Sequence, residues 1–185
     1  KTDQIYVLGN NQADLDRISG DIVIATDRMS TYPVLGMRKF LKRFYFVQDY
    51  EPYFFAKGTS SILTEYAYAS ENDFACICAS PWLKQRMESF GKTAISFPLA
   101  VDHSVYNTKF NKTPKHNTIA FYVRRSTPRR LYELGLLALR ALFDLGDTFE
   151  VITFGEENLP DLGIPVTVRH AGILDSNALA KLYQD

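Results

Sequence analysis

The sequence contains little of what metal centres and disulfide frameworks are built from. It has two cysteines and three histidines among its 185 residues, and no grouping of them has the spacing of a metal site. Cys76 and Cys78 alternate onto one face of a predicted strand, residues 74–79, which indicates small buried thiols. We therefore expect no metal site in this chain.

The chain also lacks an excess of charge of either sign and lacks long apolar runs. Its 21 Lys and Arg residues balance its 21 Asp and Glu residues, so we expect no nucleic-acid partner. The longest apolar runs, such as residues 22–25 and 44–47, fall far short of a membrane span, and no signal peptide opens the sequence. These absences predict a cytoplasmic protein whose contact with the inner face of a membrane is at most peripheral.

Arginine is concentrated in one segment of the sequence. The segment FYVRRSTPRR holds four arginines within seven positions. An apolar run, residues 118–123, precedes them, and Leu and Ala at helical spacing follow up to about residue 143. Ser126 or Thr127 would cap that helix, with Pro128 in its first turn. Cations near a helix N-terminus are unfavourable unless an anion binds, so the cluster predicts a phosphate or diphosphate site. The alternative is that each arginine extends into water.

The rest of the sequence alternates between short strands and helices, as in a parallel sheet with crossover helices. We predict strands over residues 21–26, 44–48, 74–79, 93–97, 118–123, 149–154 and 166–170, and helices over residues 30–42, 60–69, 81–90, 128–143 and 176–183. Hydrophobic periodicity stops between residues 101 and 117, which indicates a linker. The prediction is an α/β protein with two partial Rossmann-like lobes, residues 1–106 and 118–185, joined by residues 107–117.

Two glycines follow predicted strands of the second lobe. Ligands of parallel sheets bind beyond the carboxyl ends of the strands, where the arginine cluster also lies. Gly155 and Gly172 occupy two further strand ends, and a residue without a Cβ lets a ligand approach the backbone closely. We interpret both as lying near a bound nucleotide, with an ordinary turn as the alternative for each.

Several of these segments together resemble glycosyltransferase family 4, the retaining enzymes of GT-B fold. Arg124 and Arg129, in RRSTPR before a helix, resemble the Arg and Lys pair that holds the donor diphosphate in that family. The family pattern is G-R followed by S-P-x-K; this chain has Val123 for the Gly and Arg129 for the Lys. The segments VITFGEE, VRHAGILDSNALAKLYQD and SFPLAVDHSVYN resemble the next strands of the donor domain and the crossover between the domains. FYFVQDYEPYFF and RRSTPRRLYELGLLALRAL resemble bacterial rhamnosyltransferases of cell-surface glycan synthesis.

The resemblance implies transfer of a sugar, rhamnose on the closest likeness, from a nucleoside-diphosphate donor to a glycan or lipid-linked glycan acceptor. It implies no cofactor and no divalent metal, with Arg124 and Arg129 stabilising the departing diphosphate. Residues 1–106 would be the C-terminal part of the acceptor-side domain and residues 118–185 the N-terminal half of the donor domain. The family's E-x7-E motif has no match here, which predicts a piece of a larger enzyme that is inactive alone. The alternative is a noncatalytic domain that binds a nucleotide or another phosphorylated ligand.

The loop after the strand at residues 44–48 supplies the candidate acceptor-side residues. Gln48-Asp49-Tyr50-Glu51 resembles the "HD" loop of related enzymes, with Gln48 in the His position. On that resemblance Asp49 and Glu51 are the candidate catalytic residues and would bind acceptor hydroxyls. The alternative for both carboxylates is turn formation and helix capping.

Overall fold

Two sheets of parallel strands organise the chain in the computed structural model, which describes residues 7–9, 11–107 and 117–184. One sheet lies in the unit Lys1–Ala100 and the other in the unit Val101–Asp185. The predicted fold class, α/β with parallel sheets and crossover helices, is confirmed. Residues 108–116 of the predicted linker lie outside the described residues, and the predicted domain limits stay a prediction.

The first unit contains a four-stranded sheet in the order β1-β2-β3-β4. Its strands are β1 (Gly20–Ala25), β2 (Phe40–Val47), β3 (Ala75–Cys78) and β4 (Ala94–Ser96). Its helices are α1 (Gln12–Leu15), α2 (Arg28–Gly36), α3 (Thr59–Tyr66) and α4 (Pro81–Ser89), with a 3-10 turn at Glu51–Phe54. Every strand pair is parallel, so each connection must cross over the sheet, and the helices provide these crossovers.

Local sequence determines where α2 and α4 begin. The Asp27 side chain accepts hydrogen bonds from the backbone N–H groups of Met29 and Ser30 at 2.7 and 3.1 Å. Ser30 Oγ accepts in turn from the backbone N–H of Asp27, which completes a capping box. Ser80 caps α4 in the same way, because its Oγ accepts from the backbone N–H of Leu83 at 3.2 Å. Both helices therefore start directly after the carboxyl ends of β1 and β3.

The second strand is longer than the sequence pattern predicted. The prediction of a helix over residues 30–42 is wrong at its end, because α2 ends at Gly36 and β2 already begins at Phe40. Phe40 pairs with Gly20 at the start of β1. Ladder hydrogen bonds along β1 outweigh the helical spacing of this segment, since intrinsic helix preference is a weak determinant.

One face of the first sheet is buried and the other is open. The buried face carries side chains that are at most 1% exposed: Tyr45, Val47, Cys76 and Cys78. These pack with residues of α2 and α4 in one core cluster, and both cysteines are buried free thiols, as predicted. On the opposite face Ile22, Ile24 and Ile95 are 54%, 47% and 62% exposed. Parallel sheets are normally covered on both faces. In the part of the chain that the structure describes, only the face that carries Tyr45 is covered.

The second unit contains a three-stranded sheet in the order β5-β6-β7. Its elements are β5 (Thr118–Tyr122), a 3-10 turn (Pro128–Arg130), α5 (Tyr132–Asp144), β6 (Glu150–Phe154), β7 (Thr167–His170) and α6 (Ser176–Gln184). Leu139 of α5 packs with Val151 and Leu162 in the core of this unit. Gly135 allows the helix to approach β5, because a Cβ there would lie 2.4 Å from the ring of Phe121.

The described residues include neither a membrane-spanning helix nor a cluster of metal-binding side chains. The longest of their helices, α5, has 13 residues, whereas a bilayer requires about 20, and none of them is long and apolar enough to cross a membrane. No three of their His, Cys, Asp and Glu side chains are grouped where they could hold a metal ion.

Candidate functional site

The arginine cluster does not lie in the first turn of an α-helix, and the prediction that it does is wrong. Pro128–Arg130 forms a separate 3-10 turn. Leu131 follows in the left-handed region, with φ 55° and ψ 42°, and α5 begins only at Tyr132. A left-handed residue cannot continue a right-handed helix, so the turn and α5 are separate elements. The first turn of α5 carries Glu133 instead, the sign of charge that a helix N-terminus favours.

The predicted cap is wrong for the same reason. Thr127 precedes the 3-10 turn but makes no side-chain hydrogen bond to it. The segment is held instead by backbone turns, since the N–H of Thr127 donates to the carbonyl of Arg124 at 3.1 Å and the N–H of Arg130 donates to the carbonyl of Thr127 at 2.9 Å. The arginines therefore belong to a hydrogen-bonded loop between β5 and α5.

Arg125 is neutralised by its own chain. Its Nε donates a hydrogen bond to Oε2 of Glu156 at 2.8 Å, and its Nη2 lies 2.8 Å from the same oxygen in an ion pair. Its backbone N–H donates to Oε1 of the same carboxylate at 2.5 Å. The hydrogen bond from the Arg125 side chain is the main reason why the pKa of Glu156 lies below its ordinary value. This pair ties the loop after β5 to the loop after β6 and removes Arg125 from the set of residues that could bind an anion.

A cleft opens beside this pair at the carboxyl ends of β5 and β6. Its volume is about 350 Å³, and it is lined by Tyr122, Arg124, Phe154, Gly155, Ile173, Leu174 and Leu179. Arg124 is exposed and is the charged residue of this lining. Most of the remaining wall is aromatic or aliphatic, so the cleft combines a cation with apolar surface, the usual character of a small-molecule site.

The two predicted glycines lie next to each other at this edge of the sheet. The backbone N–H of Gly155 donates to the carbonyl of Gly172 at 2.8 Å. Gly155 has φ 107°, and a Cβ there would lie 2.5 Å from the carbonyl oxygen of Val123. A side chain at this position is therefore excluded both by backbone conformation and by space. Gly172 has φ 69°, and a Cβ there would meet no other atom within 4 Å, so its requirement is conformational.

A histidine fixes the loop that carries Gly155 and Glu156. His170 Nε2 lies 3.0 Å from the carbonyl oxygen of Glu157, so this nitrogen must carry the proton and donate it. His170 Nδ1 then accepts from the hydroxyl of the fully buried Thr153 at 2.8 Å. The loop after β6 is thus attached to β7 as well as to Arg125.

The second member of the predicted diphosphate pair lies elsewhere on the loop. Arg129 is exposed in the 3-10 turn and does not belong to the lining of the cleft. The structure therefore brings Arg124 and Gly155 into one cleft, with Gly172 bonded beside it. The joint role of Arg124 and Arg129 stays a prediction.

The predicted acceptor-side carboxylates differ in their surroundings. Glu51 is 7% exposed and both of its oxygens are occupied, Oε1 by the hydroxyl of Tyr45 at 2.6 Å and Oε2 by the backbone N–H of Arg28 at 2.9 Å. Glu51 therefore links β2 to the first turn of α2. This is helix capping, the alternative to a role in acceptor binding. Burial, with this hydrogen bond among the further causes, strongly raises the pKa of the Tyr45 hydroxyl.

Asp49 remains accessible to solvent. Its Oδ1 accepts from the backbone N–H of Tyr50 at 2.8 Å, and its neighbour Gln48 donates to the carbonyl of Thr26 at 3.0 Å. Asp49 is exposed, whereas Glu51 is not. A role for either carboxylate in binding an acceptor stays a prediction.

Sequence reasoning missed Glu156 and the apolar wall of the cleft. Glu156 could have been found, because a carboxylate two residues after β6 stands next to the arginines that follow the neighbouring parallel strand β5. The wall residues Ile173, Leu174 and Leu179 carry no comparable signal. Their spacing is that of any helix and its preceding turn, and only tertiary packing places them against Arg124.

Comparison with known proteins relates the chain to a protein of glycan synthesis. No family model matches the chain. It is 34% identical over 170 residues to the O-antigen biosynthesis protein RfbC of Myxococcus xanthus. The match covers 89% of this chain but only 13% of that protein, so the chain spans a small part of the length of this relative.

Proposed function

We propose that this chain is part of a glycosyltransferase of cell-surface glycan synthesis and that its second unit binds the diphosphate of a nucleotide sugar. The 34% identity to an O-antigen biosynthesis protein over most of the chain supports glycan synthesis as the process. The two parallel α/β sheets support a nucleotide-sugar donor, because such sheets bind nucleotides at the carboxyl ends of their strands. On the resemblance given above the enzyme is retaining and metal-independent, and the donor is a rhamnosyl nucleotide.

The observation that carries the proposal is the position of Arg124. This exposed arginine lines the cleft at the ends of β5 and β6, beside a glycine that no other residue could replace without strain. Arg125, the adjacent cation, is bound to Glu156, which holds the loop that carries Arg124. A phosphate lying over Gly155 would meet the positive charge of Arg124.

The chemistry of the proposed reaction explains why a fixed cation is useful there. Breaking the bond between a sugar and a nucleoside diphosphate increases the negative charge on the leaving phosphate. A preorganised guanidinium stabilises that developing charge more than it stabilises the ground state, and only such differential stabilisation accelerates the chemical step. Arg129, close in sequence on the same loop, would add to the positive potential over the cleft. In this proposal the acceptor is a glycan or lipid-linked glycan, met on the side of Asp49.

Calorimetric titration of the 185-residue chain with a panel of nucleoside diphosphates tests the binding step. We expect at least one diphosphate to bind and Arg124→Ala to weaken that binding about tenfold or more, since charged contacts to phosphate contribute a kcal/mol or more each. Arg140→Ala, an exposed arginine on α5, is the matched control and should leave the affinity unchanged. Equal affinities for the wild type and Arg124→Ala would refute the site.

A noncatalytic nucleotide-binding domain is the second candidate, and the state of Glu51 favours it. Both oxygens of this carboxylate are occupied within the chain, so one of the two candidate catalytic carboxylates is not available in this structure. Both functions predict diphosphate binding. An assay for hydrolysis and transfer of the donor sugar, performed on the longer natural protein, separates them.

A further inference from the structure

Helix α5 has two apolar faces, and only one of them is covered. Leu139, on the covered face, is 4% exposed in the core of the second unit. The other face carries an apolar stripe of exposed side chains that continues to the residue just after the helix: Leu134, Leu137, Ala138, Ala141 and Leu145. Leu134 and Leu137 are each 59% exposed. A helix that is apolar on nearly all sides is normally buried on all of them, so this stripe requires a partner.

The spacing of the stripe is that of a helix-packing seam. Leu134, Leu137 and Ala141 recur at intervals of three and four residues, the a and d positions of a heptad. The next d position after Leu137 is the exposed Asp144, so the apolar seam ends before it. Two further exposed charges of opposite sign, Glu133 and Arg140, flank the seam along one edge and lie one heptad apart. Among the residues that the structure describes, neither forms an ion pair.

The stripe and its flanking charges are complementary to themselves. If two copies of α5 pack antiparallel with Leu134 of each against Leu137 of the other, position 133 of one helix lies beside position 140 of the other. Glu133 of each copy then meets Arg140 of the second copy, which produces two equivalent ion pairs. A twofold interface requires this reciprocity, in which residue i contacts j and j contacts i. Shifting the helices by one heptad would place Arg140 beside Arg140 and Leu134 beside Asp144, so the charges also select the register.

We propose that the N-terminal part of this stripe, Leu134, Leu137 and Ala138, with Glu133 and Arg140, is the interface through which two copies of this chain associate as an antiparallel helix pair. In this register residues 132–139 of the two helices overlap, which is about 12 Å of helix, and one such helix pair buries less area than a standard protein interface. The association is therefore weak and concentration-dependent. It is independent of the proposed diphosphate site, because none of the stripe residues lines the cleft.

Sedimentation velocity on the 185-residue chain over a concentration series tests this interface. The wild type is expected to show a sedimentation coefficient that rises with concentration. Glu133→Arg and Arg140→Glu each turn two attractions into two repulsions, so each variant alone should associate at least about tenfold more weakly. An equimolar mixture of the two variants restores both opposite-charge pairs and should associate as tightly as the wild type.

Controls separate this interface from others. Reversal of the exposed ion pair on α4, Lys84→Glu with Glu88→Lys, changes charges of the same kind away from the stripe and should leave the association unchanged. Circular dichroism and melting curves of every variant verify the fold, and Leu137→Asp should abolish association without unfolding this exposed position. A wild type that stays monomeric at every concentration, or a mixture that associates no better than its components, overturns the proposal.

Discussion

Arg125 and Glu156, 31 positions apart in the sequence, join the loops that follow two neighbouring parallel strands. The carboxylate of Glu156 receives two hydrogen bonds from this one residue, one from the guanidinium Nε and one from the backbone N–H, and forms an ion pair with Nη2. A residue in the middle of an arginine cluster thus serves to hold the loop, while the preceding arginine lines the cleft. The pair shows why a cluster of like charges in sequence need not act as one site.

Glu156→Gln should make the stability of the protein less sensitive to acid. The folded pKa of Glu156 is depressed from an ordinary value of 4.5 by Arg125. A depressed carboxyl pKa contributes stability above the unfolded pKa and loses it as the pH falls through the folded pKa. The difference in free energy of unfolding between wild type and variant should therefore be positive at pH 7 and shrink below about pH 4.5, measured by urea denaturation. Glu157→Gln, at the exposed neighbouring carboxylate, is measured in the same series as the control.

Gly155→Ala should destabilise the protein. The added Cβ would meet the Val123 carbonyl at 2.5 Å at a φ of 107°, so we expect a loss of about 2 kcal/mol or more in the free energy of unfolding. Gly146→Ala is the matched control, with φ 87° and open space around it, and should cost about 1 kcal/mol. Equal losses for the two variants would show that the contact with Val123 relaxes freely.

Arg124→Ala in the full-length protein should lower turnover by orders of magnitude. The expected cost is about 2 to 4 kcal/mol of transition-state stabilisation, by analogy with other donors that stabilise a developing anion. Because Arg124 is exposed, the melting temperature should change little. Donor-sugar transfer and thermal unfolding are measured on the same preparations; near-normal transfer contradicts the assignment.

Glu51→Ala should destabilise the first unit far more than Asp49→Ala. Removing the Glu51 carboxylate leaves the buried hydroxyl of Tyr45 and the N–H of Arg28 without an acceptor, at about 1 to 3 kcal/mol each. The exposed Asp49 bonds only to its neighbour's backbone N–H, so its loss should cost less than about 1 kcal/mol. Guanidinium denaturation of both variants measures the difference. Near-wild-type stability of Glu51→Ala would return this residue to the candidates for acceptor binding.

Cys76 and Cys78 should react with thiol reagents only after unfolding. Burial raises the pKa of Cys76 to about 12 and that of Cys78 to about 11. At pH 8 both are therefore almost entirely protonated and inaccessible, and the thiolate is the reactive form. A colorimetric thiol assay should count no reactive cysteine in buffer and two in denaturant. Fast reaction in buffer would contradict the buried placement.

The α/β class was predictable because alternation of apolar runs and helical spacing is a local property of the sequence. The cap of α2 was not predicted. The end of α2 was predicted too late in the sequence, because residues with helical spacing belong to β2, where Phe40 pairs with Gly20. The start of α5 was also misplaced. Pro128 and the polar residues before it suit the start of a helix, yet Leu131 in the left-handed conformation separates that turn from α5. Local preferences could not show this break, because it occurs at a residue that rarely adopts such a backbone.

The amino-acid sequence by itself determined the number and order of the strands, most of the helices and the presence of arginines after β5, because these depend on residue order over short distances. Tertiary structure alone decided which arginine binds Glu156 and which lines the cleft. The parallel pairing that sets Tyr122 opposite Phe154 brings Glu156 beside Arg125, and contacts across 31 positions depend on sheet register. It likewise decided that Glu51 is buried while Asp49 is exposed, since burial depends on the elements that pack around a loop.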